Sequence, residues 1–299
     1  MIRTQPLMDV RAALKAAMAR LRAAHVPSHW LAAELLMMHT LGRDRAWLYA
    51  HPEAEVPPAD SEKYNHLVEQ RCAGAPTQYL TGKQEFWGLE FEVTREVLIP
   101  RPETEHVVEV ALERMGKNSK ELPLAIADVG TGSGCLAVAL AREFPRATVL
   151  ATDVSAAALE VASRNAARHG VAARIEFAHC NLLDGFAASS LAARRASLEL
   201  VVSNPPYVAR AEGTTLPREV GDHEPPNALF GGEDGVDVYP PLAEQAANVL
   251  RPGGLLVVEL GYNSEAHVRP LFDSGERWRN VTTTLDLAGI PRVLAAERR

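Results

Sequence analysis

At 299 residues the chain has room for one large domain or two ordinary ones. Charged residues make up 23% and hydrophobic residues 47%, and the formal net charge of −7 argues against a protein held mainly by nucleic-acid phosphates. Three widely spaced cysteines (Cys72, Cys135, Cys180) exclude a disulfide framework or a CxxC metal site. No apolar run approaches the roughly 18 residues of a membrane span, and the N-terminus lacks a signal pattern, so a cytoplasmic protein with no membrane contact and no metal is expected.

The first 75 residues or so read as helical. Leu7, Val10, Leu14, Met18 and Leu21 form one apolar stripe, and a break at Pro27-Ser28 leads to a second through Trp30, Leu31, Leu35 and Met38. A Pro-rich interval from Pro52 to Pro58 precedes a third pattern through Leu67, Val68 and Arg71. The histidines here (His25, His29, His39, His51, His66) are scattered and read as surface or capping residues. A small bundle of this kind suits docking a partner better than chemistry. From Gln84 the period changes, and residues 86–93 and 97–99 around Thr94-Arg95-Glu96 predict a β-hairpin linker. Glu103 or Thr104 then opens a helix through Val107, Val108, Val110 and Leu112.

Beyond Pro123 strands and helices alternate. Strands are expected over 124–129, 148–151, 173–177, 198–203 and 255–260, with helices over 136–142, 156–169, 242–250 and 264–272. A polar loop runs to about Asp237, and 278–284 and 292–296 are candidate final strands. Such alternation means an α/β domain with a mostly parallel sheet covered on both faces. The expected division is 1–83 (helical), 84–102 (hairpin linker) and 103–299 (α/β domain).

Two local patterns carry the chemistry. Asp128-Val129-Gly130-Thr131-Gly132-Ser133-Gly134 lies between the first strand and its helix, where glycines admit a ligand close to the backbone. Asp153 ends the second strand about twenty residues on, where a carboxylate can accept ribose hydroxyls. A dinucleotide fold comes to mind first, but the spacing is G-x-G-x-G rather than G-x-G-x-x-G. A P-loop is excluded because no Lys-Ser/Thr pair follows the glycines. The second pattern, Asn204-Pro205-Pro206-Tyr207, follows the 198–203 strand. Its prolines fix φ and remove two donors, leaving a stiff turn with free carbonyls at the ligand-binding edge of a sheet. Alone, it could equally be a turn that merely ends the strand.

Together the two patterns resemble those of S-adenosylmethionine-dependent class I methyltransferases, with a Rossmann-like fold. The resemblance implies that Gly130, Thr131, Gly132, Ser133 and Gly134 wrap the methionine and ribose of S-adenosylmethionine. It also implies that Asp153 holds the ribose and that Cys180-Asn181-Leu182-Leu183 meets the adenine. Asn181 and Leu182 depart from the acid and aromatic common at that point, which leaves an amide and apolar packing. Enzymes of this class that methylate planar nitrogen carry Asn-Pro-Pro-Tyr. By that likeness the Asn204 side-chain oxygen, beside the cofactor, and the Pro205 carbonyl accept the two N–H groups of the target. Pro206 stiffens the turn and Tyr207 stacks on the planar group.

Three further strings, Leu98-Ile99-Pro100-Arg101-Pro102-Glu103-Thr104-Glu105, residues 73–82 (AGAPTQYLTG), and Glu224-Pro225-Pro226-Asn227-Ala228-Leu229 with Gly231-Gly232-Glu233-Asp234-Gly235, resemble one family over nearly the whole chain. It is the peptide chain release factor N5-glutamine methyltransferase family (HemK/PrmC type). That likeness implies methylation of the glutamine in the Gly-Gly-Gln loop of bacterial class-1 release factors, with the helical domain meeting the body of the release factor. A monomer with no direct nucleic-acid partner is expected. The rival readings are a ribosomal-protein glutamine methyltransferase, a nucleic-acid adenine N6-methyltransferase, which would want a basic target-recognition domain, and a binding module that lost activity. Arg101 is either a functional contact or a clamp on Glu103 or Glu105. Asp222, His223 and Glu224 are expected to shape the substrate cleft.

Overall fold

In the computed structural model, residues 8–194, 197–273 and 276–299 are described. Leu7, which opens the first predicted stripe, lies outside them. The chain divides into two compact units, Met1–Lys83 with Pro217–His223, and Gln84–Leu216 with Glu224–Arg299.

The first unit is built from α1 (Val10–Ala23), α2 (His29–Leu41), α3 (Arg45–Ala50), α4 (Pro58–Cys72) and α5 (Thr77–Thr81). Asp9 and Asp44 start α1 and α3 by accepting the Ala12 and Trp47 N–H groups, which would otherwise lack partners. In α1, Val10 and Leu21 are buried together with Ala13 and Ala17, while Leu14 and Met18 are only partly buried. The α2 stripe is displaced from expectation: Ala32, Ala33, Leu36 and Met37 face the core and Trp30 is 49% exposed. Residues 31–38 are apolar almost all round, so periodicity could not single out a face. Arg71, buried in α4, is paired with Glu219, which accounts for the grouping of 217–223 with this unit.

The second unit opens with a hairpin, β1 (Lys83–Phe86) and β2 (Leu89–Glu92). Its turn is Trp87-Gly88, with φ of +54° and +67°, rather than the expected Thr94-Arg95-Glu96. Two consecutive left-handed residues match the twist of paired strands, which explains so short a connection. Residues 97–99 are not a strand: Val97 and Ile99 are buried from an irregular segment, and the Ile99 N–H is given to Glu224. Nor is the hairpin a free linker, since Phe86 and Phe91 meet edge to face (6.1 Å, 77°) inside the main core. Pro102–Thr104 forms a 3-10 turn that runs into α6 (Glu105–Met115).

The remaining strands are β3 (Ala125–Val129), β4 (Thr148–Asp153), β5 (Ile175–His179), β6 (Leu198–Ser203), β7 (Leu250–Glu259), β8 (Trp278–Leu285) and β9 (Pro291–Arg298). They lie in the order β5-β4-β3-β6-β7-β9-β8, parallel except for β9, which runs antiparallel to both β7 and β8. Helices α7 (Cys135–Glu143) and α8 (Ala156–Arg168) cover one face with α6, and Tyr239–Val249 covers the other. The expected helix over 264–272 is two, Glu265–Val268 and Pro270–Asp273, because Pro270 cannot donate to the preceding turn. The expected loop to Asp237 contains short helices at Arg218–Gly221 and Pro226–Leu229. Among the described residues no helix is long and apolar enough to cross a membrane.

Candidate active site

Strand order reverses between β3 and β6, and ligands bind at that kind of edge in open α/β sheets. Register puts the critical residues there. Val129 lies opposite Thr152 on one side and Ser203 on the other, so Gly130, Asp153 and Asn204 all fall at the same end of the sheet. The Ser203 hydroxyl donates to the Val129 carbonyl at 2.8 Å and ties β6 to β3 just before Asn204. The Gly130 and Thr131 N–H groups share the Thr152 carbonyl, both at 2.9 Å.

The glycine loop is held from below. Asp128 is fully buried, and its Oδ2 accepts the Thr131 hydroxyl at 2.6 Å and the Ala137 N–H at 3.0 Å. Burial pushes its carboxyl up to about 7. Asp153 accepts the Gly132 N–H on Oδ2 and the Ser155 N–H on Oδ1, both at 2.9 Å. Each oxygen thereby keeps a lone pair for a ligand. Burial raises Asp153 above the ordinary carboxylate range, against those backbone bonds. Asn165, which the sequence reading passed over, anchors the other side. Its amide donates to the Ser133 and Glu92 carbonyls at 2.9 Å and accepts the Glu92 N–H at 2.8 Å, joining loop, α8 and hairpin.

A cavity of about 360 Å³ opens over this edge, within the usual size range for small-molecule sites. Gly130, Thr131, Gly132, Ser133, Asp153, Asn181 and Leu182 line one part, and Asn204, Pro205, Pro206, Thr104 and Arg101 another. A Cβ on Gly130 or Gly132 would meet no protein atom within 4 Å, so a ligand can lie against the bare backbone. Cleft, free carboxylate lone pairs and bare glycines together fit the S-adenosyl group implied by the sequence. Leu182 presents its side chain from a left-handed backbone, φ +47°, a conformation that costs about 1 kcal/mol or more. Cys135 also lines the cavity, but burial and the nearby Asp128 charge push its thiol up to about 12, so it is no nucleophile.

Tyr207 departs from the expected stacking role. Its ring packs on Gly261, where an added Cβ would lie 2.9 Å from Cδ2, and its hydroxyl donates to Glu259 Oε1 at 3.2 Å. It belongs to the core behind the turn. Asn204 Nδ2 donates to the Thr104 hydroxyl at 2.9 Å, which turns the side-chain oxygen the other way. The backbone of the tetrapeptide is fixed by residues 229–235. Val208 N–H donates to the Leu229 carbonyl at 2.8 Å and Gly231 N–H to the Val208 carbonyl at 3.0 Å. A Cβ at Gly231 would stand 2.3 Å from the Pro206 oxygen, and one at Gly235 2.3 Å from the Tyr207 oxygen, so only glycine permits the approach. Arg101 pairs with Glu224 at 2.5 Å rather than with Glu103 or Glu105, and Glu105 instead accepts the Trp87 N–H. Of the three residues expected to shape the cleft, Asp222 and His223 group with the first unit, and Glu224 pairs with Arg101, which lines the cavity.

Curated proteins resemble this chain in sequence over nearly its whole length. The release factor glutamine methyltransferase of Koribacter versatilis is 43% identical over 97% of this chain and 99% of its own length. The chain belongs to the release factor glutamine methyltransferase family. The enzyme of that name from Moorella thermoacetica is 44% identical over 98% of this chain and 99% of its own. Residues 12–82 match the PrmC N-terminal domain and residues 108–218 the methyltransferase small domain. The fold also matches the crystal structure of the hMettl16 catalytic domain in complex with the MAT2A 3′UTR hairpin 6. There the TM-score is 0.55 at 18% identity, covering 77% of this chain and 81% of that one. The second unit is thus a class I methyltransferase fold, and family and fold make S-adenosylmethionine the methyl donor.

Proposed function

We propose that the protein methylates N5 of the glutamine in the Gly-Gly-Gln motif of bacterial class-1 peptide chain release factors. One observation carries the reading: in a chain of this family, the Asn204-Pro205-Pro206 turn and the glycine loop open into the same cavity. S-adenosylmethionine, when bound, supplies a methyl group activated by its positively charged sulfur.

The residues divide that work. Gly130, Thr131, Gly132 and Ser133 cradle the methionine part and Asp153 accepts ribose hydroxyls, with Asn181 and Leu182 on the adenine side, while Gly134, outside the cavity lining, lets the loop pack on Ala162 of α8. An amide nitrogen is a poor nucleophile because its lone pair is delocalised. The Asn204 side-chain oxygen and the Pro205 carbonyl each accept one of its two N–H groups, aim the lone pair at the methyl, and stabilise the positive charge that grows on nitrogen. No strong general base is required, because the proton departs to water after transfer. Tyr207 acts from behind, holding the turn on Gly261 and Glu259. The helical first unit docks the body of the release factor. The protein works as a monomer in the cytoplasm and needs no nucleic acid.

The test combines purified protein, methyl-labelled S-adenosylmethionine and unmethylated release factor, with ribosomal proteins and DNA in parallel, and maps the label. Label in the Gly-Gly-Gln glutamine supports the reading. Label in a ribosomal protein or in adenine, with none in the release factor, overturns it.

A further inference from the structure

Apolar exposure on the second unit is not scattered. Among its described residues the exposed large hydrophobic side chains are Leu122, Val154, Tyr262, Leu285 and Leu287. All but Leu122 lie at the sheet edge that holds the cavity. Val154 follows β4 and lines the cavity itself, and Tyr262 comes shortly after β7. Register carries the other two there. Strand β9 is antiparallel, with Val293 opposite Glu259 and Pro291 opposite Leu285, so the turn between β8 and β9 emerges beside the end of β7.

The exposed side chains are held rigidly. Asp286 braces the β8–β9 turn from within: its Oδ1 accepts the Ala288 and Ile290 N–H groups, both at 2.9 Å, and its Oδ2 pairs with Arg292 at 3.0 Å. Leu287, inside this brace, is fully exposed. Tyr262, 70% exposed, sits in a turn closed by Ser264, whose N–H and hydroxyl donate to the Gly261 carbonyl at 3.1 and 3.0 Å. Both turns are tied to the acceptor turn. The Leu260 N–H donates to the Arg292 carbonyl at 2.7 Å, and Gly261, next in the chain, lies against the Tyr207 ring. An apolar side chain on a braced turn loses little freedom when a partner covers it, which favours binding.

Strand spacing sets the reach. Neighbouring strands lie about 4.8 Å apart, and β9 and β8 are second and third from β6, so the turn stands roughly 10 to 15 Å from the acceptor turn along the edge. An extended chain advances about 3.3 Å per residue, so a substrate with its glutamine at Asn204 reaches the β8–β9 turn within about three to five residues.

We propose that Tyr262, Leu285 and Leu287 form a docking rim for an apolar stretch of the release factor that begins about three to five residues from the target glutamine. The proposal rests on the release factor as substrate, and it adds where that chain runs on leaving the cavity. The rim touches neither cofactor nor target nitrogen, so it acts on substrate affinity alone.

Three variants at these exposed positions test it: Leu287→Ser, Leu287→Met and Tyr262→Ser. KM for unmethylated release factor, kcat and the affinity for S-adenosylhomocysteine are measured for each. Leu287→Ser and Tyr262→Ser are expected to raise KM for the release factor about tenfold, the scale of removing one large apolar side chain from a contact. Their kcat and S-adenosylhomocysteine affinity should stay within about twofold, and Leu287→Met should keep KM within about threefold of the parent. A five-residue peptide centred on the glutamine, too short to reach the rim, should be used equally by parent and variants. If no enzyme turns that peptide over, KM for the release factor decides alone. A KM within twofold of the parent in both serine variants overturns the proposal, as does a loss confined to kcat. So does a parent dimer that Leu287→Ser converts to monomer at unchanged KM, since the rim would then join two copies of the chain. Label mapping separates the two readings. Release factor labelled normally with Leu287 indifferent sinks the rim alone, whereas release factor left unlabelled by the parent sinks substrate and rim together.

Discussion

The Asn204 side chain carries a donor and an acceptor of nearly equal shape, and Thr104 takes the donor. What remains for a ligand is the oxygen, so truncation should cost transition-state stabilisation rather than cofactor binding. Asn204→Ala is expected to lower kcat by about 10² to 10³, the usual effect of removing one preorganised polar contact, with S-adenosylmethionine affinity within a few-fold. Normal turnover with badly weakened cofactor binding would contradict that role. Asp153 sits on the opposite side of the division. Its oxygens are pinned by the Gly132 and Ser155 N–H groups, leaving lone pairs for ribose. Asp153→Ala should weaken S-adenosylmethionine binding by about tenfold or more, since hydrogen bonds to a charged group are worth roughly 1.5–3 kcal/mol. Calorimetric titration reads this directly, and unchanged affinity would remove Asp153 from the site.

Between residue and molecule, the segment 229–235 decides where the Asn204 turn lies. Gly235 has φ +75° and a Cβ there would collide with the Tyr207 carbonyl. Gly235→Ala should therefore push the turn out of place and lower kcat about tenfold or more. Gly88→Ala, at a hairpin tip where a Cβ meets nothing, should leave kcat within about twofold despite its own φ strain. Equal activity in the two variants would show that the backbone contact is dispensable. The glycine loop and the Asn-Pro-Pro-Tyr turn were legible in the sequence because each is a local string whose spacing states its geometry. Their supports were not. Asn165 meets Ser133 across 32 positions and Asn204 meets Thr104 across 100, and no periodicity marks such pairs. The tip of the hairpin was misplaced for a related reason: Trp87-Gly88 lacks the Asn or Asp that normally announces a primed turn. The α2 face was misjudged because Leu31 to Met38 offers apolar side chains in every direction.

At the scale of the whole molecule, the second unit carries two fully buried carboxyls at its functional edge, and this has a thermodynamic consequence. Burial raises Asp128 from 3.8 and Glu259 from 4.5, each to about 7. Around Glu259 the Thr104 and Tyr207 hydroxyls and Arg292 favour the charged form and Glu103 opposes it, but desolvation dominates. Between about pH 4 and pH 7 the folded state therefore holds protons at these sites that the unfolded chain has released. Their stabilising contribution is complete below the unfolded values and is lost as pH rises through about 7, on the order of 3 to 4 kcal/mol for each group. Surface carboxylates work in the opposite sense. Cationic partners hold Glu92 and Glu143 below their usual range, backbone donors do so for Asp286, and the Asn280 amide with Arg279 does so for Glu297; these contributions disappear as acid protonates the carboxylates in the fold. Stability of the unit should thus be greatest in mildly acidic solution and decline toward pH 8. Urea unfolding followed by far-ultraviolet circular dichroism at pH 5.5 and pH 8 measures the decline. Glu259→Gln, which has no charge to desolvate, should flatten it by removing one of the two contributions. A parent protein equally stable at both pH values, or a Glu259→Gln variant with the full parental slope, would mean that Glu259 ionises in the fold as readily as in the unfolded chain.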